Sequence, residues 1–187
     1  MGRDSTGSTH SLPIREPDHS TSARWRSARR RSAQEQGDLA GARPLHERAL
    51  AISEKVLGPE HPDTATSLHN LASLLQDQDD LAGARPLFER ALAIYEKVLG
   101  PEHPYTATSL SALASLLQDQ GDLAGARPLF ERALAISEKV LGAEHPYTAT
   151  SLRNLARLLQ EQGDLAGARP LHERALAIWA RLRTPEH

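Results

Sequence analysis

The chain has no cysteine among its 187 residues. That single absence excludes disulfides, thiolate zinc sites, iron–sulfur clusters and cysteine nucleophiles. Aromatic residues make up only 4%, so a core has to be built from Leu, Ala and Ile. No apolar run approaches the ~18 residues that a membrane-crossing helix needs, and no apolar stretch of the signal-peptide kind opens the chain. A cytoplasmic location is the expectation, with no membrane partner. Charge of one sign is also missing, because 22 Lys+Arg stand against 24 Asp+Glu for a net charge of −2. A chain-wide polyanion trap is therefore not expected, and nucleic acid is not an expected partner. What is abundant is Ala, Leu, Arg and Glu, all good helix formers, with few β-branched residues to favour strands.

The main signal is repetition. GDLAGARPLHERALAISEKVLGPEH begins at Gly37, DDLAGARPLFERALAIYEKVLGPEH begins at Asp79, and near-copies begin at Gly121 and Gly163. The period is 42 residues without an insertion. Between 80–120 and 122–162 only six positions differ: Tyr95/Ser137, Pro101/Ala143, Ser111/Arg153, Ala112/Asn154, Ser115/Arg157 and Asp119/Glu161. Copies this alike must occupy the same kind of structural slot.

Each unit reads as two helices. The first, helix A, is predicted over about 63–78, where Leu68, Leu71, Ala72, Leu74 and Leu75 form one apolar stripe. Pro62 suits the first turn, where a missing N–H costs nothing. Asp79-Asp80, or Gly-Asp in later copies, ends helix A and caps the next helix. Helix B is predicted over about 81–99, with a stripe of Leu81, Ala84, Phe88, Ala91, Ile94 or Tyr95, and Val98, stopped by Gly100-Pro101. Gly83 and Pro86, repeated in every copy, oppose helix propensity, so a bend or a loose first turn is expected there.

The small and large residues at Leu68, Leu71, Ala72, Leu75, Ala84, Phe88 and Ala91 resemble the tetratricopeptide repeat. The long helix with RALAI-x-EKVLG, the PEHP-[DY]-TATSL-x-NLA segment and the 42-residue period look like the kinesin light chain subfamily. The resemblance covers about 36–187. It implies an all-α, right-handed superhelical solenoid of antiparallel helix pairs, in which helix A lines a concave groove that binds peptides. Two departures stand out. Leu81 occupies a position where an aromatic is common, and His46 and His172 replace the Phe of Phe88 and Phe130. The His copies should pack less tightly.

The domain reading is a disordered tail over 1–21, a basic degenerate or frayed first helix over 22–36, and the repeat array over 37–187. The first part is rich in Ser, Thr, Pro and Gly. In the second, Arg29 and Arg30 fall where Leu and Ala occur in other copies; a solvated basic tail is the plainest reading of its arginines. At the other end no capping helix follows Leu171, Ala175, Ile178, Trp179 and Leu182. Repeat arrays need covered ends, so self-association through this last helix is an open reading.

Chemistry is weakly signalled. The sequence GDLAGA lacks the Lys-Ser/Thr of a phosphate loop. His61, His103 and His145 recur one per loop as Glu-His-Pro, too far apart to converge on a metal, so a loop or N-cap role is expected. Ser67, Ser109 and Ser151 recur as helix-surface residues without a nucleophile elbow. Neither an enzyme nor a cofactor is expected.

The informative positions are those where near-identical copies disagree. On helix A these are His69/Ser111/Arg153, Asn70/Ala112/Asn154 and Ser73/Ser115/Arg157. Positions 69 and 73 lie one turn apart on one face. By the resemblance that face lines the groove, with Thr66, Gln76, Thr108, Gln118, Thr150 and Gln160 beside it. The expected partner is a protein or peptide. Arg153 and Arg157 would meet its carboxylates, and Ser111, Ala112 and Ser115 would leave room for an apolar side chain. Drift of exposed residues after duplication predicts the same divergence. Two other functional classes stay open: a regulatory or sensor segment working with a nucleotide-binding ATPase, and a self-assembling array.

Overall fold

The computed structural model describes residues 41–183. The expectations for 1–21, for 22–36 and for the closing Glu-His lie outside these residues. The described part is all helical: α1 over 41–57, α2 Pro62–Asp77, α3 Leu81–Val98, α4 Pro104–Asp119, α5 Leu123–Leu141, α6 Pro146–Glu161 and α7 Leu165–Arg183. Helices α2, α4 and α6 are the A helices of three successive units; α3, α5 and α7 are their B helices. The predicted spans hold to within a residue at each end.

Each A helix packs against its own B helix and against the B helix before it, while successive A helices touch only lightly. The apolar stripes therefore fuse across unit boundaries. Phe88 of α3 is fully buried in a cluster that joins Leu71, Ala72 and Leu75 of α2 to Leu113 and Leu116 of α4. Phe130 repeats this between α4 and α6, with Ala114, Leu117, Leu155, Leu158 and Leu159 around it. The Ala residues at 65, 72, 84 and 91 are fully buried, which lets backbones approach closely.

Local chemistry sets the ends. The imidazole Nδ1 of His61, His103 and His145 accepts the backbone N–H of Asp63, Tyr105 and Tyr147, at 3.1–3.2 Å. These histidines are the N-caps of the A helices. Just before them, Gly58, Gly100 and Gly142 take φ near +100°, a left-handed conformation that ends each B helix and that side chains disfavour. The carbonyls of those glycines accept the hydroxyls of Thr64, Thr106 and Thr148, at 2.7–2.9 Å. All three threonines are fully buried, so each B-to-A turn is pinned to the first turn of the following helix.

At the A-to-B turns Asp80, Asp122 and Asp164 accept from the N–H of Gly83, Gly125 and Gly167. A Cβ on Gly83 would lie 2.6 Å from the Asp80 carboxylate, so the glycine is what lets the cap close. That explains a residue that propensity alone marks as unfavourable. Helix α3 continues through Pro86 without interruption. Ala82, whose carbonyl Pro86 cannot satisfy, is exposed, and water can serve it.

Several expectations need correction. Ser109 and Ser151 are not surface residues: both are buried, and Ser67 is half-buried. They sit where an A helix meets the preceding B helix. Val98, expected in the buried stripe, is 47% exposed, whereas Tyr95 before it and Leu99 after it pack on the core. On α7, Ala175 and Ile178 are buried against α6. The exposed apolar residues there are Leu165, Leu176 and Leu182. His46 and His172 are only half-buried, unlike Phe88 and Phe130.

The opposite face carries a ladder of ion pairs that spans units. Arg90 meets Glu54 at 2.7 Å, Arg132 meets Glu96 at 2.6 Å, and Arg174 meets Glu138. Lys97–Glu60, Lys139–Glu102 and Arg181–Glu144 form a second rail. These pairs are exposed, so each contributes roughly 0–1 kcal/mol. They fix how one unit sits on the next more than they stabilise it.

Candidate functional site

The candidate face is formed by α2, α4 and α6 together with the B-helix residues that show between them. Two cavities open on it. The larger, of about 230 Å³, lies between α4 and α6; Thr108, Ser111, Thr150 and Asn154 line it, with Ser137 behind them and Tyr105 and Tyr147 at its mouth. The smaller, of about 170 Å³, lies one unit earlier among Thr66, His69, Tyr95, Tyr105 and Thr108.

The two are the same site in different states of filling. A shift of 42 residues maps Tyr95 onto Ser137, Thr66 onto Thr108 and Tyr105 onto Tyr147. In the first site the Tyr95 ring is in place and only 5% exposed. Its hydroxyl bonds Thr66 Oγ1 at 2.9 Å, and its ring lies 5.7 Å from that of Tyr105. Thr66 Oγ1 also donates to the Pro62 carbonyl, so it is the acceptor from the phenol. Burial pushes the Tyr95 phenol above its ordinary pKa. In the second site Ser137 leaves the ring volume empty and bonds Ser151 at 3.3 Å. Ser53 and Ser67 make the same serine pair in the first unit, at 3.1 Å. Ser109, facing Tyr95 instead of a serine, is buried with no hydrogen-bond partner.

Sequence reasoning passed over Tyr95, Ser137, Tyr105 and Tyr147. A signal was present. Of the six differences between the two middle copies, Tyr95/Ser137 is the one at which both residues are buried.

Farther along the A helices, the Gln76 amide donates to the Asp119 carboxylate of the next A helix. Its equivalent, Gln118, behaves differently. Its Oε1 accepts from Arg157 Nη2 at 3.0 Å, and its Nε2 has no partner although the residue is only 7% exposed. Gln118 was expected as an open groove residue; it is a buried one whose amide nitrogen is unused. Arg153 is exposed and makes no hydrogen bond or ion pair among the described residues. His69 is half-buried edge-on to Phe88, with ring centroids 5.2 Å apart, and burial holds its pKa below the ordinary imidazole value. Ala112 packs on the apolar core. Asn70, Ser73, Ser115 and Gln160 line neither cavity.

Among the described residues no helix is long and apolar enough to cross a membrane, and no group of three or more His, Asp or Glu is placed to hold a metal ion.

A tetratricopeptide repeat model matches residues 31–97, 67–124 and 110–181. The chain belongs to the tetratricopeptide repeat family. Its repeats are of the kinesin light chain type. A crystal structure of nearly identical TPR-like repeats from a Podosopora anserina kinesin light chain-like protein is 35% identical, with a TM-score of 0.66, covering 83% of this chain and 74% of that one. A single-substitution variant of those repeats is 34% identical, with a TM-score of 0.67, covering 82% and 72%. BtubC (BKLC) from P. vanneervenii is 25% identical, with a TM-score of 0.72, covering 81% of this chain and 60% of that one. No curated protein matches the sequence. Tetratricopeptide repeats generally mediate protein–protein interaction, and proteins built from them are typically non-catalytic scaffolds.

Proposed function

We propose that this array is a non-catalytic cytoplasmic scaffold or adaptor that holds a partner peptide along the groove lined by α2, α4 and α6, and that the peptide is acidic where it crosses α6. The observation that carries the reading is the unused amide of Gln118. One unit earlier the identical amide of Gln76 holds a carboxylate. At Gln118 the nitrogen is buried without an acceptor, a state that costs roughly 1–3 kcal/mol until one arrives. The Arg157 guanidinium bonds the other end of the same amide, and Arg153 stands one turn away on the same face. Together they form a donor set suited to a side-chain carboxylate. A preformed helical surface also spares the ordering cost that a flexible receptor would incur.

The test uses synthetic peptide pools, one rich in Asp and Glu and one neutral, titrated against the wild type and an Arg153→Glu/Arg157→Glu variant. A charge-assisted bond contributes about 1.5 kcal/mol or more when desolvated, so the acidic pool should bind about tenfold more weakly to the variant. The far-UV helical signal should not change, because both side chains are exposed. Equal retention of the acidic pool by both proteins would remove the reading.

A further inference from the structure

Leu165, Arg169, His172, Leu176, Trp179 and Arg183 recur along α7 at alternating spacings of four and three, which makes one continuous helix face. On α5 the equivalent Leu123, Phe130, Leu134, Ser137 and Leu141 are buried or half-buried, and α6 packs over them. On α7 no described helix takes that place. Leu165 is 65% and Leu176 66% exposed, and His172 and Trp179 are half-buried. Two devices that seat a following copy are also replaced here. Ala180 stands where Glu54, Glu96 and Glu138 accept an arginine of the next unit. Thr184 stands where Gly58, Gly100 and Gly142 turn into the next A helix with φ near +100°. A further unit of the same kind therefore does not suit this face. We infer that the face pairs with the same face of a second copy of this chain, α7 antiparallel to α7, in a two-fold dimer. The inference uses none of the groove residues and stands apart from the groove reading.

Charge complementarity selects the occupant and its direction. Asp164 caps the N-terminus of α7, while Arg181 and Arg183 occupy its last turn. Arg181 is engaged by Glu144, but Arg183 is exposed and makes no hydrogen bond or ion pair among the described residues. An antiparallel pair sets Arg183 beside the partner's Asp164 and opposes the two helix dipoles, whereas a parallel pair would bring like charges together. The alternation of four and three then fixes the register, because the two kinds of seam position face each other across an antiparallel pair. Leu176 meets the partner's His172 in the two central layers. Arg169 lies over the partner's Trp179 ring, a cation–π contact. Arg183 meets the partner's Leu165 at either end. Each polar residue of the face thus gains a complement, which a purely apolar helix would not offer to its arginines. Two-fold pairing is also closed, so it stops at two chains. The 19-residue helix is roughly 28 Å long. A single helix pair of that length lies at the low end of specific interfaces, so dissociation constants on the order of 10–100 µM are expected.

Sedimentation equilibrium of the full chain, from about 1 µM to about 1 mM, tests the pairing. The mass should rise from one chain towards two and stop there. Leu176→Glu should raise the dissociation constant about tenfold or more. The side chain is exposed in the single chain, so the far-UV helical signal should be kept. Leu45→Glu, at an equally exposed leucine of α1, should leave the association unchanged. The chain has no cysteine, so introduced thiols report the register cleanly. An air-oxidised mixture of His172→Cys and Leu176→Cys chains should form the mixed disulfide in preference to either like pair. A single-chain mass across the whole range, masses beyond two chains, an equal loss with Leu45→Glu, or an excess of like-paired disulfides would each overturn the proposal.

Discussion

The exchange of Phe for His at one position of helix B offers a quantitative check on how the interior is shared between units. Phe130 is 1% exposed and packs in one cluster with residues of α4, α5 and α6. Full burial of a phenylalanine contributes roughly 1.5–3 kcal/mol. In Phe130→His an imidazole would keep part of that packing and bring a buried N–H and lone pair without partners, at roughly 1–3 kcal/mol. The expected loss is about 2–4 kcal/mol. The reciprocal change, His172→Phe, acts at a half-buried site with helices on one side only, so the gain should stay near 0.5–1 kcal/mol. Urea unfolding followed by far-UV circular dichroism at pH 8, where the introduced imidazole is neutral, measures both. Hydrogen exchange in α4 to α6 localises the loss, because a repeat array can open unit by unit. A loss below about 1 kcal/mol for Phe130→His, or effects of equal size at the two positions, would refute the account of a core shared across neighbours.

Three further outcomes follow from the same geometry. Thr106→Val keeps the shape of a fully buried side chain but removes its bond to the Gly100 carbonyl; a loss of about 1–2 kcal/mol is expected, with faster amide exchange at His103 and Ala107. His69 is neutral in the fold because burial lowers its pKa, so the unfolded chain binds protons more tightly. Its contribution is complete above the ordinary imidazole value near 6.5 and falls as pH drops from there toward the folded pKa; His69→Ser, the residue found at Ser111, should flatten that part of the stability–pH curve relative to wild type. Arg132→Met removes one exposed rung of the ladder beside Glu96 and should cost no more than about 1 kcal/mol, a difference that vanishes at high salt.

The helices, their order and their caps were legible in the sequence because they rest on local rules. Period and stripe fixed where α2 to α7 lie, and the recurrent His before Pro marked the N-caps. What escaped depends on contacts between elements remote in sequence. Thr64, Thr106 and Thr148 read as polar helix residues, yet each is buried because a glycine carbonyl from the turn before it points inward. Ser109 and Ser151 read as exposed because small polar residues suit a helix surface equally well. Gln118 and Gln76 are the same residue in the same register, and only the neighbouring A helix decides whether the amide holds Asp119 or is engaged by Arg157. Divergence on helix A drew attention to exposed positions, whereas the difference that reshapes the face, Tyr95 against Ser137, sits beneath it.

Every cation in the two rails reaches back 36 or 37 residues to an acid of the preceding unit, and never farther. Each junction is thus written entirely within two adjacent copies. Removing or adding any whole multiple of 42 residues rejoins the same partners, so unequal recombination within the gene can yield a folded product of new length. Position 180, where Ala stands in place of the Glu at 54, 96 and 138, offers no carboxylate to an arginine of any copy spliced in behind it. Growth by duplication is therefore easiest in the interior, where reach and selectivity can change by counting units.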